Sequence, residues 1–291
     1  MSRLLLLITL LLPSLCLASP PILVPLWQTD TLFEQPESVV YDAKRDLLYV
    51  SNVNGDPSEV DGNGYISQLA LNGDLIKQHF IDGLNAPKGL TIVGDTLYVA
   101  DINELVAIDL KSQKIIQRYS APKAKFLNDV AADNNGNIYV SGFLTSSIYR
   151  LNKGKFDLWL QDEQLASPNG LLIENDQLIV GNWGNMTDGF ATAIAGHLKS
   201  ITLSNKKIKS LGDGSPAGNL DGVESDGNGD YFVTDWMSGR LLHITASGMA
   251  TTLLVLGQGS ADHTVLLPQG LVIIPMMMSG YVAAYKIKET P

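Results

Sequence analysis

The sequence predicts an all-β chain folded as a six-bladed β-propeller with four-stranded antiparallel blades. Three observations lead there. A short motif recurs six times, β-type runs follow each copy at similar spacing, and the last unit is one run short while the chain begins with a spare one. Radial repetition with a borrowed closing strand hides all but short sheet edges. A β-sandwich would explain neither the period nor the spare run.

The motif is an anchor, a polar residue, a small residue or Asp or His, then an apolar or β-branched residue. Blade one opens on Pro36-Glu37-Ser38-Val39 and continues through LLYVSN (47–52), GYISQLAL (64–71) and LIKQHFI (75–81). Blade two opens on Pro87-Lys88-Gly89-Leu90, followed by TLYVAD (96–101), ELVAIDL (104–110) and KIIQRYS (114–120). Blade three runs from Leu127-Asn128-Asp129-Val130 through NIYVSG (137–142), SIYRLN (147–152) and KFDLWLQ (155–161). Blade four has Pro168-Asn169-Gly170-Leu171, QLIVGN (177–182), GHLKSITL (196–203) and KKIKSL (206–211). Blade five has Leu220-Asp221-Gly222-Val223, DYFVTD (230–235), RLLHITA (240–246) and MATTLLVL (249–256). Blade six has Ala261-Asp262-His263-Thr264, LVIIPM (271–276) and YVAAYKI (281–287), and ILVPLWQ (22–28) is expected to supply its fourth strand. These runs are rich in β-branched and aromatic residues and close on Asp, Asn, Gly or Lys turns, as strands do.

The units repeat at about 40 residues, with blades one and four about 11 residues longer. Their extra residues, NVNGDPSEVDGNG (52–64) and NWGNMTDGFATAIA (182–195), join the second strand to the third. In a propeller blade that connection lies at the end where the first strand begins. Both long loops are therefore expected to rim the mouth on which the anchors open.

Residues 1–18 read as a signal peptide: a basic start at Arg3, an apolar run from Leu4 to Leu12, and small residues at Ala18 and Ser19. The apolar run falls short of the roughly 20 residues that span a bilayer. Residues 19–291 are then the propeller, exported to the periplasm or secreted, with no membrane span after cleavage. Cys16 is the single cysteine and lies inside this segment, with Leu15 where a lipid-attachment site carries a small residue, so the remaining chain has no thiol chemistry. A formal charge of −10 disfavours nucleic acid and anionic membranes as partners.

Equivalent positions on the six innermost strands form a ring around the central channel. The second motif residues place Glu37, Lys88, Asn128, Asn169, Asp221 and Asp262 there. Three carboxylates, two amides and one lysine are costly to desolvate unless something compensates. Oxygen donors without sulfur suit a hard cation, calcium before magnesium. A water-filled channel in which Lys88 pairs with Glu37 or Asp262 accounts for the same residues, and spacing alone does not choose.

Taken in order, Pro36-Glu37-Ser38, Asn128-Asp129, Pro168-Asn169-Gly170 and Leu220-Asp221-Gly222 resemble the senescence marker protein/gluconolactonase/luciferin-regenerating enzyme group over nearly the whole chain after residue 18. More distantly the sequence is similar to diisopropylfluorophosphatase, paraoxonase and strictosidine synthase. The resemblance implies a divalent ion on Glu37, Asn128, Asn169 and Asp221: calcium, with magnesium, zinc or manganese as alternatives. It also implies hydrolysis of a lactone or ester, the ion polarising the carbonyl and Asp221 acting as base or nucleophile. Asp262 and His263 are further catalytic candidates for proton transfer, although a lone histidine at a strand start also serves as a hydrogen-bonding filler.

One departure bears on the substrate. Relatives that open sugar lactones carry an arginine two residues before the blade-three Asn, where this chain has Phe126. An apolar ester or lactone is expected instead. Lys88, Phe126, Trp183 and Trp236 are the candidate substrate contacts, the tryptophans as apolar walls above the ion. Asp101 and Asp235, which end second strands at the mouth, are expected to hold the rim. No nucleophile elbow, paired-histidine metal motif or phosphate-binding glycine loop occurs. A non-catalytic propeller with a structural ion is the competing reading. Condensation of the strictosidine-synthase kind lacks an identifiable acid for amine activation.

Overall fold

Alternation of side chains along each strand decides how the blades pack. In Leu47–Asn52 of blade one, Leu48 and Val50 point toward blade six while Tyr49 points toward blade two. The same alternation around the ring yields six buried clusters, one at each contact between neighbouring blades. Each inner and middle strand is thus buried on both faces.

The computed structural model describes residues 19–288 and has six four-stranded antiparallel sheets, blades one to five built in chain order from the channel outward. The segment read as a signal peptide, with Cys16, lies outside the described residues. The innermost strands are Pro36–Asp42, Pro87–Val93, Leu127–Ala132, Pro168–Glu174, Leu220–Ser225 and Thr264–Leu266. Ile22–Gln28 is the outermost strand of blade six and pairs with Tyr281–Lys288, Ile22 opposite Lys288 and Gln28 opposite Ala283. The expected ring closure by the first strand is therefore observed. Among the described residues no helix is long and apolar enough to cross a membrane.

Three details depart from the expectation. The blade-four insertion folds as an additional hairpin, Gly184–Met186 paired with Thr192–Ala195. The outer strand of that blade shrinks to Ile208–Ser210. In blade six the residues from Ala261 to His263 precede the strand. The Asp262 N–H donates to the Glu37 carbonyl at 2.9 Å, and the Val39 N–H donates to the Asp262 carbonyl at 3.3 Å, so this segment binds the inner strand of blade one directly.

Blades one to five share a register break between the anchor and the fourth motif residue: Pro36/Val39, Pro87/Leu90, Leu127/Val130, Pro168/Leu171 and Leu220/Val223. Such a bulge re-aims a side chain and leaves a backbone N–H without a ladder partner. In three blades a hydroxyl on the second strand takes it: Ser38 N–H to Ser51 Oγ at 3.0 Å, Asp129 N–H to Ser141 Oγ at 2.8 Å, and Gly222 N–H to Thr234 Oγ1 at 2.9 Å. The bulge falls on the residues assigned to the ring.

Candidate metal centre

Five of the six ring residues face one cavity of about 210 Å³ at the mouth: Glu37, Lys88, Asn128, Asn169 and Asp221. All five are buried. Close approach of neighbouring inner strands draws them together, and between blades four and five it needs a residue without a side chain in the third motif position. A Cβ on Gly170 would lie 1.8 Å from the Asp221 carbonyl oxygen.

The polar atoms of this ring are conspicuously without partners. Glu37 Oε2, Asn128 Oδ1 and Asn169 Oδ1 are buried and accept no hydrogen bond from the protein. Orphaned buried acceptors are rare and call for an explanation. The electrostatics point the same way. Burial raises the Glu37 carboxyl well above its ordinary pKa, and the charges of Asp221 and Asp262 add to this while Lys88 opposes it. Asp221 is raised by burial and then by Asp262, with the Asn169 amide opposing. Burial draws Lys88 down to about 8, against the pull of Glu37. Three unpartnered oxygens beside a second carboxylate, with both carboxyls resisting ionisation without a counter-charge, form a donor set that fits a hard divalent cation.

Above this layer the mouth is apolar and lopsided. Phe126, Phe143, Trp183 and Trp236 cluster on the side of blades three to five, with Met186 packed against them. Their rings meet at centroid distances of 5.6 Å for Phe126 and Phe143, 5.5 Å for Phe143 and Trp183, and 6.0 Å for Trp183 and Trp236. Phe190, on the connection of the additional hairpin, lies 6.0 Å from Phe126, and its carbonyl accepts from Trp183 Nε1 at 2.8 Å. Phe126 sits at φ 61°, a left-handed conformation unusual for a bulky side chain, which turns its ring into the mouth, 4.4 Å from Lys88 Nζ. Val53, Ala86 and Ile102, with Met277 packed on them, fill the other half.

The four ion ligands and the four substrate contacts expected from the sequence are thus brought to one cavity. Asp262 and His263 are not. They line a second cavity of about 190 Å³ lower in the channel, together with Asp129 and Glu224. The physical reason is the blade-six backbone, which runs along blade one and directs the Asp262 carboxylate to the Ser38 hydroxyl at 2.5 Å. Burial raises Asp262 to about 7 and Glu224 to about 8, and both keep some exposure to the cavity. His263 is buried, lowered to about 3 by that burial, and has no partner on either ring nitrogen.

Asp101 and Asp235 tie the mouth together. Asp101 accepts from the N–H groups of Asn85 and Ala86 at 2.9 and 2.8 Å, and Asp235 from Ser238 Oγ and Arg240 Nη2, both at 2.6 Å. Sequence reasoning missed Phe143, Phe190 and the methionines Met277 and Met278 of the mouth. A signal for two of them existed. Phe143, Trp183, Trp236 and Met277 each follow directly on the end of a second strand, so they form a ring of their own.

A propeller whose mouth gathers oxygen donors beneath an apolar wall belongs to the class of six-bladed propellers with a polar centre in the channel. Residues 35–261 match the SMP-30/gluconolactonase/LRE-like region, and the chain belongs to that family. The match contains all four proposed ligands and stops just short of Asp262 and His263. No curated protein matches the chain by sequence. Among solved structures it is similar to virginiamycin B lyase from Staphylococcus aureus. A catalytically inactive form with quinupristin has a TM-score of 0.60 at 12% identity, covering 92% of this chain and 99% of that one. A selenomethionine-substituted form has a TM-score of 0.62 at 13% identity, with the same coverage. A chain of a nidogen/laminin complex has a TM-score of 0.58 at 16% identity, over 75% of this chain and 79% of that one. At these identities the likeness is one of fold.

Proposed function

We propose that the protein is a hydrolase of a lactone or ester that depends on a divalent ion, calcium by preference, held on Glu37, Asn128, Asn169 and Asp221. The observation that carries this reading is the set of buried oxygens without partners, Glu37 Oε2, Asn128 Oδ1 and Asn169 Oδ1, gathered with Asp221 on one apolar-walled cavity. Family membership supports it. An ion bound there supplies Lewis-acid polarisation of the substrate carbonyl.

The chain's own residues do the rest. Asp221 takes the proton of an attacking water or attacks the carbonyl carbon itself, and the Asn169 amide beside it favours its charged form. The aromatic wall holds the non-reacting part of the substrate and excludes water. Asp262 and His263 face the lower cavity, so a proton relay through them would have to cross the ring layer; we assign the proton to Asp221. With segment 1–18 read as a signal peptide, we propose that this activity lies in the periplasm or outside the cell.

The test is a panel of an apolar lactone, an aryl ester and a phosphotriester, each with calcium and with chelator. Hydrolysis that chelator abolishes, and that Asp221→Asn lowers by about a hundredfold or more, is the expected result. No turnover of any compound with the ion bound would sink the proposal. The likeness to both a lyase and a chain of a nidogen/laminin complex keeps a non-catalytic binder as the second reading. In that case Asp221→Asn would leave ligand binding intact wherever the ion is retained.

A further inference from the structure

Lys88 is a buried cation without an anion of its own. It is 1% exposed. Its Nζ donates to the carbonyls of Pro57 at 2.9 Å and Ala86 at 2.8 Å, and the Phe126 ring lies 4.4 Å away. An ammonium has three donors, so one N–H remains unassigned beside the cavity. Among the described residues no carboxylate forms an ion pair with Nζ, and Glu37, Asp101 and Asp56 act on it only at longer range. Burying a cation in this way is unfavourable by several kcal/mol unless a counter-charge arrives. Among the described residues Glu37 and Asp221 are the only acids in the cavity wall, and a divalent ion on the ring would engage both.

The facing wall has the opposite character. Phe143, Trp183, Phe190 and Trp236 line it, and the Trp183 N–H is already taken by the Phe190 carbonyl. Such a wall holds a flat or short-chain apolar body and offers little to hydroxyl groups. At about 210 Å³ the cavity is small beside the roughly 300–1,000 Å³ of pockets for drug-sized ligands.

We propose that the mouth recognises a small ligand of two halves, an aryl or short alkyl body against the aromatic wall and a carboxylate on Lys88, so that the substrate is a carboxylate-bearing apolar ester or lactone. The inference rests on the mouth being the substrate site of the proposed hydrolase.

Phenylacetate and phenylacetamide test it, because they share a shape and differ in charge. Binding to the calcium-loaded protein is read from the fluorescence of Trp183 and Trp236 and by calorimetry. The wild-type protein is expected to bind phenylacetate at least tenfold more tightly than the amide. Lys88→Gln and Lys88→Met should each lose that preference, with phenylacetamide affinity unchanged within about twofold, and Lys88→Arg should keep it. Thermal unfolding without ligand establishes that the variants are folded. Should the neutral ones not fold, a crystal structure of the wild-type protein with phenylacetate decides by whether the carboxylate lies within hydrogen-bond distance of Nζ. Equal binding of the two probes overturns the inference, as does a preference that survives in Lys88→Gln, which would put the carboxylate on the ion. Equal binding in a protein that still hydrolyses the panel leaves the hydrolase reading standing. Lys88-dependent phenylacetate binding without hydrolysis supports the inference and removes that reading.

Discussion

Single residues set the geometry of the ring, and Gly170 shows how tightly. A methyl group there would collide with the Asp221 carbonyl of the next blade, a backbone atom that cannot swing aside. Gly170→Ala is expected to cost about 3 kcal/mol or more, at the upper end of overpacking effects. It should also weaken calcium binding, since Asn169 and Asp221 flank the collision. Thermal unfolding and a calcium titration check both, and an unchanged affinity would show that the ring does not depend on this approach. The ring was legible residue by residue because the motif repeats: once Pro36 and Pro168 are aligned, Glu37 and Asn169 must face the same axis. Asp262 was not, because the pattern carries no sign that its segment pairs with Glu37 and Val39 instead of opening a strand. The aromatic partners Phe143 and Phe190 escaped for different reasons. Phe143 sits at a repeating position that was not aligned, whereas Phe190 depends on how an insertion folds.

At the scale of elements, the closing strand makes a non-local connection along the outer edge of blade six. Ile22–Gln28 pairs with residues 283–288, with a bulge between Pro25 and Trp27, and helps to shield the cluster between blades five and six, against which Leu23 packs. Without it the edge of Tyr281–Lys288 would be open to pairing with other chains. Removal of residues 19–28 is expected to lower the unfolding temperature by more than 10 °C, the consequence of several kcal/mol of lost burial, and to make the protein associate. Light scattering and thermal melts read this out; a monomer of wild-type stability would show that the ring closes without its seam. This strand could be placed from sequence because the last unit lacked a fourth run. The hairpin of blade four could not, because NWGNMTDGFATAIA has the composition of a loop. Its short pairing, Gly184 opposite Ala195 and Met186 opposite Thr192, goes with the packing of Met186 against the aromatic cluster of the mouth.

Across the whole molecule, the channel concentrates acid where water is scarce, and that ties stability to pH and to the ion. Glu37, Asp129 and Asp221 are raised well above the ordinary carboxylate range, Asp262 to about 7 and Glu224 to about 8, with burial the first cause in each. A carboxyl whose pKa is higher folded than unfolded stabilises the fold through its neutral form. That contribution is complete below the ordinary carboxylate pKa of roughly 4 and is lost as pH rises through the folded value. The ion-free protein should therefore lose stability between about pH 5 and pH 8. His263, lowered to about 3, works in the other direction, losing its contribution as pH falls from about 6.5 toward 3, so in the acid part of this window it offsets one of the five carboxyls. The proposed divalent ion on Glu37 and Asp221 would supply the missing counter-charge, and its effect would grow with pH because protonated ligands bind it poorly. Calcium at about a hundred times its dissociation constant adds about 2.7 kcal/mol. For a chain of this size that is a rise of roughly 5–10 °C in unfolding temperature at pH 8. The rise should shrink toward zero near pH 5. Melts in calcium and in chelator across this range check the prediction. A chelator without effect at pH 8 would leave the ring to mutual pairing and water, and an effect of equal size at pH 5 would move the ion away from the acids of the channel.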